Sequence, residues 1–184
     1  MAFPGRVARD PDLHRVSDRA AAEAATWEIG GLTEEHAQLL LVLDRDSLYR
    51  EVAERVRRST GMDLAYVAPL EADGRIVLRG FSTGLWGNSL RHVTVPAGRG
   101  QGGRVLASGA PVVLDDYYSA ESITHDFDRQ VREEGLRSCA AVPMISDARV
   151  VGVIYAGLRG RGEIGDRAVT TMRRIARSAV TAIE

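Results

Sequence analysis

The chain has 184 residues, 45% of them apolar, which is enough for one well-packed core with helical extensions and too little for two large domains. Its 24 basic and 25 acidic residues nearly cancel, so no general attraction to nucleic acid is expected. Every basic residue is Arg, which excludes Schiff-base lysine chemistry and a P-loop lysine, and the single Cys139 excludes an internal disulfide, a Cys-rich zinc site and a two-cysteine redox cycle.

Residues 1–18 carry Pro4, Gly5, Pro11 and many charges and read as a loosely ordered arm. This N-terminus has no apolar centre of the kind a signal peptide needs, and no apolar run approaches the roughly 20 residues of a membrane helix. The expectation is a cytoplasmic protein without membrane contact. Helical spacing starts near Arg19 and is interrupted at Gly30-Gly31, so residues 1–32 form an arm with a short helix. Thr33 with Glu34 and Glu35 starts a longer lead-in helix, a hydroxyl cap followed by acids in the first turn. Leu48, Val52 and Val56 continue it at four-residue spacing up to the stop at Gly61.

From Met62 the period changes to that of strands. MDLAYVAPL and RIVLRGFS predict two strands around a hairpin, with Asp73-Gly74 as the turn. HVTVP (92–96) predicts a third and APVVLDD (110–116) a fourth, while SCAAVPM and RVVGVIYAG supply two more joined at 145–148. Pro143 within a strand calls for a position that needs no ladder hydrogen bond. Asp166 opens a last helix whose apolar stripe is Val169, Met172, Ile175 or Ala176, Ala179 and Ile183. Six strands, one short helix between the third and fourth, another near 126–134, and helices at both ends predict an α+β sandwich. Its antiparallel sheet would carry the terminal helices on one face and loops with short helices on the other, leaving a pocket under the loops.

Gly98-Arg99-Gly100-Gln101-Gly102-Gly103 satisfies G-x-G-x-x-G, but only RVLASG separates it from Gly109. A parallel crossover needs about a dozen residues, so the glycines are read as a tight strand-to-helix turn whose free amides can face the pocket mouth. Asp115, Asp116, His125, Asp126 and Asp128 have no metal-ligand spacing, and Thr124 or Asp126 suits a helix cap instead. No metal, cofactor or catalytic residue is assigned. Phe81 and Trp86 in one loop and Tyr117, Tyr118 and Phe127 in another are candidate pocket walls. Cys139 or its neighbour Ala140 faces the interior by alternation, the other facing outward.

The segments GRGQGGRVLASGAPVVLDDY, THDFDRQVREEGLRSCAAVPM and VVGVIYAGLRG resemble the back half of a GAF domain. The resemblance covers roughly residues 45–184. It is strongest to GAF modules of actinobacterial-type transcriptional regulators, which often carry a LuxR-type helix-turn-helix. The chain departs from the free methionine sulfoxide reductases of the fold, which use several cysteines, and from the cyclic-nucleotide modules, whose signature requires Lys. His125 has no Cys beside it as in bilin-binding members, and the last helix has no phosphoacceptor His. The resemblance implies a sensory domain over 33–184, with a C-terminal signalling helix, that binds a small ligand and forms a homodimer through the terminal helices. It implies no direct nucleic-acid contact by this chain. The expected ligand-binding residues are Phe81, Trp86, Arg99, Tyr117, Tyr118, Phe127, Arg137 and Cys139, the two arginines pairing with a ligand carboxylate. The alternatives are a ligand-free dimerisation module and a redox enzyme using Cys139 with an external thiol.

Overall fold

The four-residue apolar spacing of the lead-in segment is realised as helix α1, which spans 45–60 and buries Val52, Ala53 and Val56. The structure, a computed structural model, describes residues 45–183. The arm, the short helix before Gly30 and positions 33–44 of the lead-in helix therefore lie outside the described residues. After α1 come β1 (Leu64–Pro69), β2 (Ile76–Val77), β3 (Ser82–Thr83), β4 (Thr94–Val95) and α2 (Gly100–Ser108). β5 (Val112–Leu114), a single 3-10 turn (Tyr117–Ser119), α3 (Asp128–Glu133), β6 (Ser138–Ser146), β7 (Arg149–Leu158) and α4 (Asp166–Ile183) complete the chain.

The main sheet is antiparallel, in the order β3-β1-β7-β6-β5, and β2 and β4 form a separate two-stranded ribbon. The α+β class expected from the sequence is the class observed, with five strands in the main sheet rather than six. The difference arises in RIVLRGFS. Its turn forms as expected, Leu70 bridging Ile76 around Asp73-Gly74. Gly80 then takes φ +102°, a conformation closed to side chains with a Cβ, and splits the strand in two. The first piece pairs with β4 and the second with β1. Pro143 lies past the last residue pair of β6 with β5, Ala141 with Val112, so that flank asks for no N–H at 143. The β6–β7 hairpin closes on Asp147 and Ala148, both at positive φ, the handedness that two-residue hairpins require.

Both faces of the sheet are covered. On one, α1 and α4 pack Val52, Val56, Met172, Ile175, Ala176 and Ala179 onto Ala65, Val67, Ala140, Val142, Ile154 and Ala156. Val180 joins the α4 stripe, while Val169 and Ile183 are only partly buried at its margin. On the other face, Leu64, Tyr66, Cys139, Ala141, Val153 and Tyr155 lie under a roof built by the ribbon, α2, the 115–127 loop and α3. Two covered faces explain why Cys139 and Ala140 are both buried, where alternation alone predicts that one faces outward. Phe81 belongs to the helix face, its ring 5.0 Å from that of Tyr49 on α1.

Candidate functional site

Between the sheet and its roof lies a cavity of about 70 Å3. Leu64 and Tyr66 of β1, Cys139 of β6 and Tyr155 of β7 form its floor. Leu78, Leu90 and Val95 from the ribbon region, Gln101 and Gly102 of α2, Tyr117, Phe127, Val131 and Leu136 form the walls and roof. The floor residues alternate with those under α1 and α4, so one strand serves both faces: Tyr155 meets the cavity while Ile154 meets the helices.

The glycine-rich segment makes the approach of α2 possible. A Cβ on Gly102 would collide with the Tyr155 hydroxyl and lie 2.6 Å from its Cζ. The first turn of α2 receives no side-chain cap from Arg99; instead the Gly100 N–H donates to Thr124 Oγ1 at 2.8 Å. Thr124 therefore serves α2 across space, and α3 starts at Phe127 without a side-chain cap, which corrects the capping role expected for Thr124 or Asp126. Gln101 is buried and donates its side-chain amide to the Val112 carbonyl at 3.0 Å.

Three tyrosines border the cavity. The Tyr66 hydroxyl accepts the Gly80 N–H at 2.5 Å. The Tyr155 ring borders the void while its hydroxyl oxygen, shut off from solvent, has no hydrogen-bond partner among the described residues. Burial raises the pKa of Tyr66, Tyr117 and Tyr155, and it pushes the Cys139 thiol up to about 12. All four groups are protonated and neutral at neutral pH. A thiol held in that form is a poor nucleophile.

Of the eight residues expected to hold ligand, the cavity brings together Tyr117, Phe127 and Cys139. Phe81 is on the far face of the sheet. Trp86 is 67% exposed and covers Arg159, whose guanidinium carbon lies 4.0 Å from its ring centroid. Tyr118 meets Tyr117 edge-on and does not line the cavity. Arg99 pairs with Asp126 at 3.1 Å, and Arg137 pairs with Asp116 at 3.1 Å while lying against Tyr118. Neither arginine lines the cavity, so the carboxylate clamp expected of them does not form there. The physical reason is local pairing: each arginine has an acidic partner on its own side of the roof. Sequence reasoning misses Tyr66, Tyr155 and Gln101, whose only signal is their place on the roof side of strands and helix.

Glu134 is fully inaccessible at the end of α3. Its carboxylate accepts from the Trp86 N–H at 2.7 Å, the Gly87 N–H at 3.2 Å and Ser89 Oγ at 3.3 Å. Arg159 donates to the Glu134 carbonyl at 3.1 Å and to the Gly84 carbonyl at 2.6 Å. This knot ties the 84–90 loop, which contributes Leu90 to the cavity, to α3 and β7. Among the described residues no three His, Cys, Asp or Glu side chains converge as metal ligands, and no helix is long and apolar enough to cross a membrane.

Known proteins share this architecture. A family profile described as a GAF domain matches residues 42–184. The HTH-type transcriptional activator RamA of Corynebacterium glutamicum is 30% identical over 137 residues, which is 74% of this chain and 48% of RamA. The chain thus spans about half the length of that relative. A Staphylococcus aureus NreA protein mutated in its nitrate binding site is 22% identical and superposes with a TM-score of 0.58, over 67% of this chain and 92% of that one. The type II free methionine-R-sulfoxide reductase of Thermoplasma acidophilum is 16% identical with a TM-score of 0.64, over 78% of this chain and 94% of that one. The last two show a shared fold.

Proposed function

The chain belongs to the GAF domain family, of the sensory and regulatory kind, and from that premise we propose that it binds a small ligand in the cavity and signals through its terminal helices. The observation that carries this reading is the cavity between sheet and roof, walled by aromatic and aliphatic side chains.

The route to the helices is the sheet itself. A guest that repositions Tyr155 also moves Ile154 and Ala156, on which α1 and α4 rest. Occupancy favours one arrangement of those helices only by fitting it better than the other. The resemblance to RamA supports a cytoplasmic role in transcription regulation, as part of a regulator or as its partner, and the signal would pass between two copies of the chain. The apolar stripe of α4 is already covered by the sheet, so pairing would use the remaining helix surfaces. The domain is read as non-catalytic, since Cys139 is buried and neutral and is the only cysteine in the chain.

Thermal-shift screening of the full chain against a metabolite panel tests the reading. The expected result is at least one compound that raises Tm in the wild type and not in Gly102→Ala, where the added methyl presses on Tyr155. A change in sedimentation between the free and ligand-bound states would report the dimer. A panel without response, and a crystal structure with the cavity closed by its own side chains, would leave the ligand-free interaction module as the better account.

A further inference from the structure

We infer that the cavity takes a small apolar molecule, an uncharged guest of about three or four non-hydrogen atoms that needs no hydrogen bond, such as a short branched hydrocarbon. This rests on the reading of the cavity as a ligand pocket and names the chemistry of its guest.

The wall decides the chemistry. The surface facing the void is nearly all carbon, from Leu64, Leu78, Leu90, Val95, Val131, Leu136 and the aromatic rings. Polar atoms of the lining residues are engaged or turned away. The Tyr66 hydroxyl accepts the Gly80 N–H, and the Gln101 side-chain amide donates to the Val112 carbonyl. The Tyr155 hydroxyl is packed against Gly102, out of reach of a water-sized guest. No Arg, His, Asp or Glu lines the space, and Arg99 and Arg137 are paired with Asp126 and Asp116. An ion there would lose its hydration with no counter-ion in return, and a carbonyl would lose its hydrogen bonds to water. Water itself fits poorly, because it needs roughly two to four polar partners to reside in a cavity. An apolar guest loses no hydrogen bond on leaving water, and it restores the dispersion contacts that a void forfeits.

The frame sets the size. Paired backbone of β1, β7 and β6 fixes the floor, and α2 is tethered above it through Gly100 to Thr124 and Gln101 to Val112. A cavity of about 150 Å3 accepts benzene, so one of about 70 Å3 takes roughly half as many non-hydrogen atoms without rearrangement.

The test is a 13C–1H methyl correlation titration of the full chain with isobutene, acetone and acetate, followed by xenon. The first three share one shape and the same number of non-hydrogen atoms and differ in polarity and charge. Saturable shifts of the Leu64, Leu78, Leu90 and Val131 methyls with isobutene are expected, with acetone and acetate at least tenfold weaker. Val131→Ile and Val95→Ile, which each add a methylene to the wall, should weaken isobutene about threefold or more, while Tyr117→Phe should leave it unchanged. Acetone or acetate binding as tightly as isobutene would overturn the apolar class and leave the pocket reading intact. Xenon uptake without isobutene binding would overturn the size. Failure of all four probes would overturn both the class and the pocket reading beneath it. Undiminished isobutene binding by both isoleucine variants, with urea midpoints that show them folded, would place the guest outside this cavity. Lost binding in Tyr117→Phe would show that a hydroxyl holds the guest and overturn the apolar class.

Discussion

Tyr66 and Tyr155 border the same cavity on adjacent strands, yet deleting their hydroxyls should change stability in opposite directions. In Tyr155→Phe the ring and its packing remain and a buried, unpartnered oxygen is removed. The relief is up to the roughly 1–3 kcal/mol that an unsatisfied buried polar group costs, and about 1 kcal/mol is expected after the small void left by the oxygen. For a domain of this size that corresponds to a rise in Tm of about 3 °C. In Tyr66→Phe the hydroxyl that accepts the Gly80 N–H is lost, and the amide of Gly80, which sits at positive φ, is stranded. The expected loss is about 1–2 kcal/mol. Urea denaturation of both variants, read as midpoint shifts at constant m, measures the pair without any ligand. If Tyr155→Phe is destabilised as much as Tyr66→Phe, the Tyr155 hydroxyl has a partner in the free protein and the reasoning fails.

Other perturbations have defined outcomes. Glu134→Ala strands the Trp86 and Gly87 amides and removes the carboxylate 3.9 Å from Arg159, and should cost about 3 kcal/mol in urea denaturation, with Glu134→Gln recovering part of it. Ala148→Gly should raise stability by up to ~1 kcal/mol, because Ala148 sits at φ +62° in the β6–β7 turn, and an unchanged denaturation midpoint would contradict that. His125 faces an oxygen at each ring nitrogen, Asp128 at 2.8 Å and the Ala120 carbonyl at 3.2 Å, and its pKa is raised mainly by the Asp128 hydrogen bond. Its folded pKa lies above the unfolded one, so its contribution is fully present below the unfolded value near 6.5 and is lost as pH rises through the folded value. The pair is about a third exposed, so the effect is modest. Tm recorded from pH 5.5 to 8.5 should fall more for wild type than for His125→Gln.

Much of the architecture is legible in the sequence. The turn at Asp73-Gly74, the stop at Gly61 and the stripe on α4 are local signals that appear near where the spacing puts them, while the short helix starts at Gly100, inside the glycine run rather than after it. The short connection after the G-x-G-x-x-G match argues against a parallel crossover, and the antiparallel sheet agrees with that. The pocket walls are less legible. Aromatics in loops suggest a wall, and that pattern assigns Phe81 and Trp86 to one they do not form. Tyr66 and Tyr155 look like ordinary strand residues, although one of them carries the unpartnered hydroxyl.

The sequence by itself determined most of the described elements, their order and the sheet's antiparallel sense, because periodicity, turn residues and short connections act within a few residues of one another. Only the tertiary structure decided which face each strand residue meets, which carboxylate each arginine pairs with, and where the void lies. Those outcomes depend on long-range register. Gly80 sends Phe81 beneath α1, Tyr155 pairs with Tyr66 from the opposite end of the domain's sequence, and α2 descends onto Tyr155 because Gly102 has no side chain. No local pattern encodes such meetings, since each is settled by packing between segments that are distant along the chain.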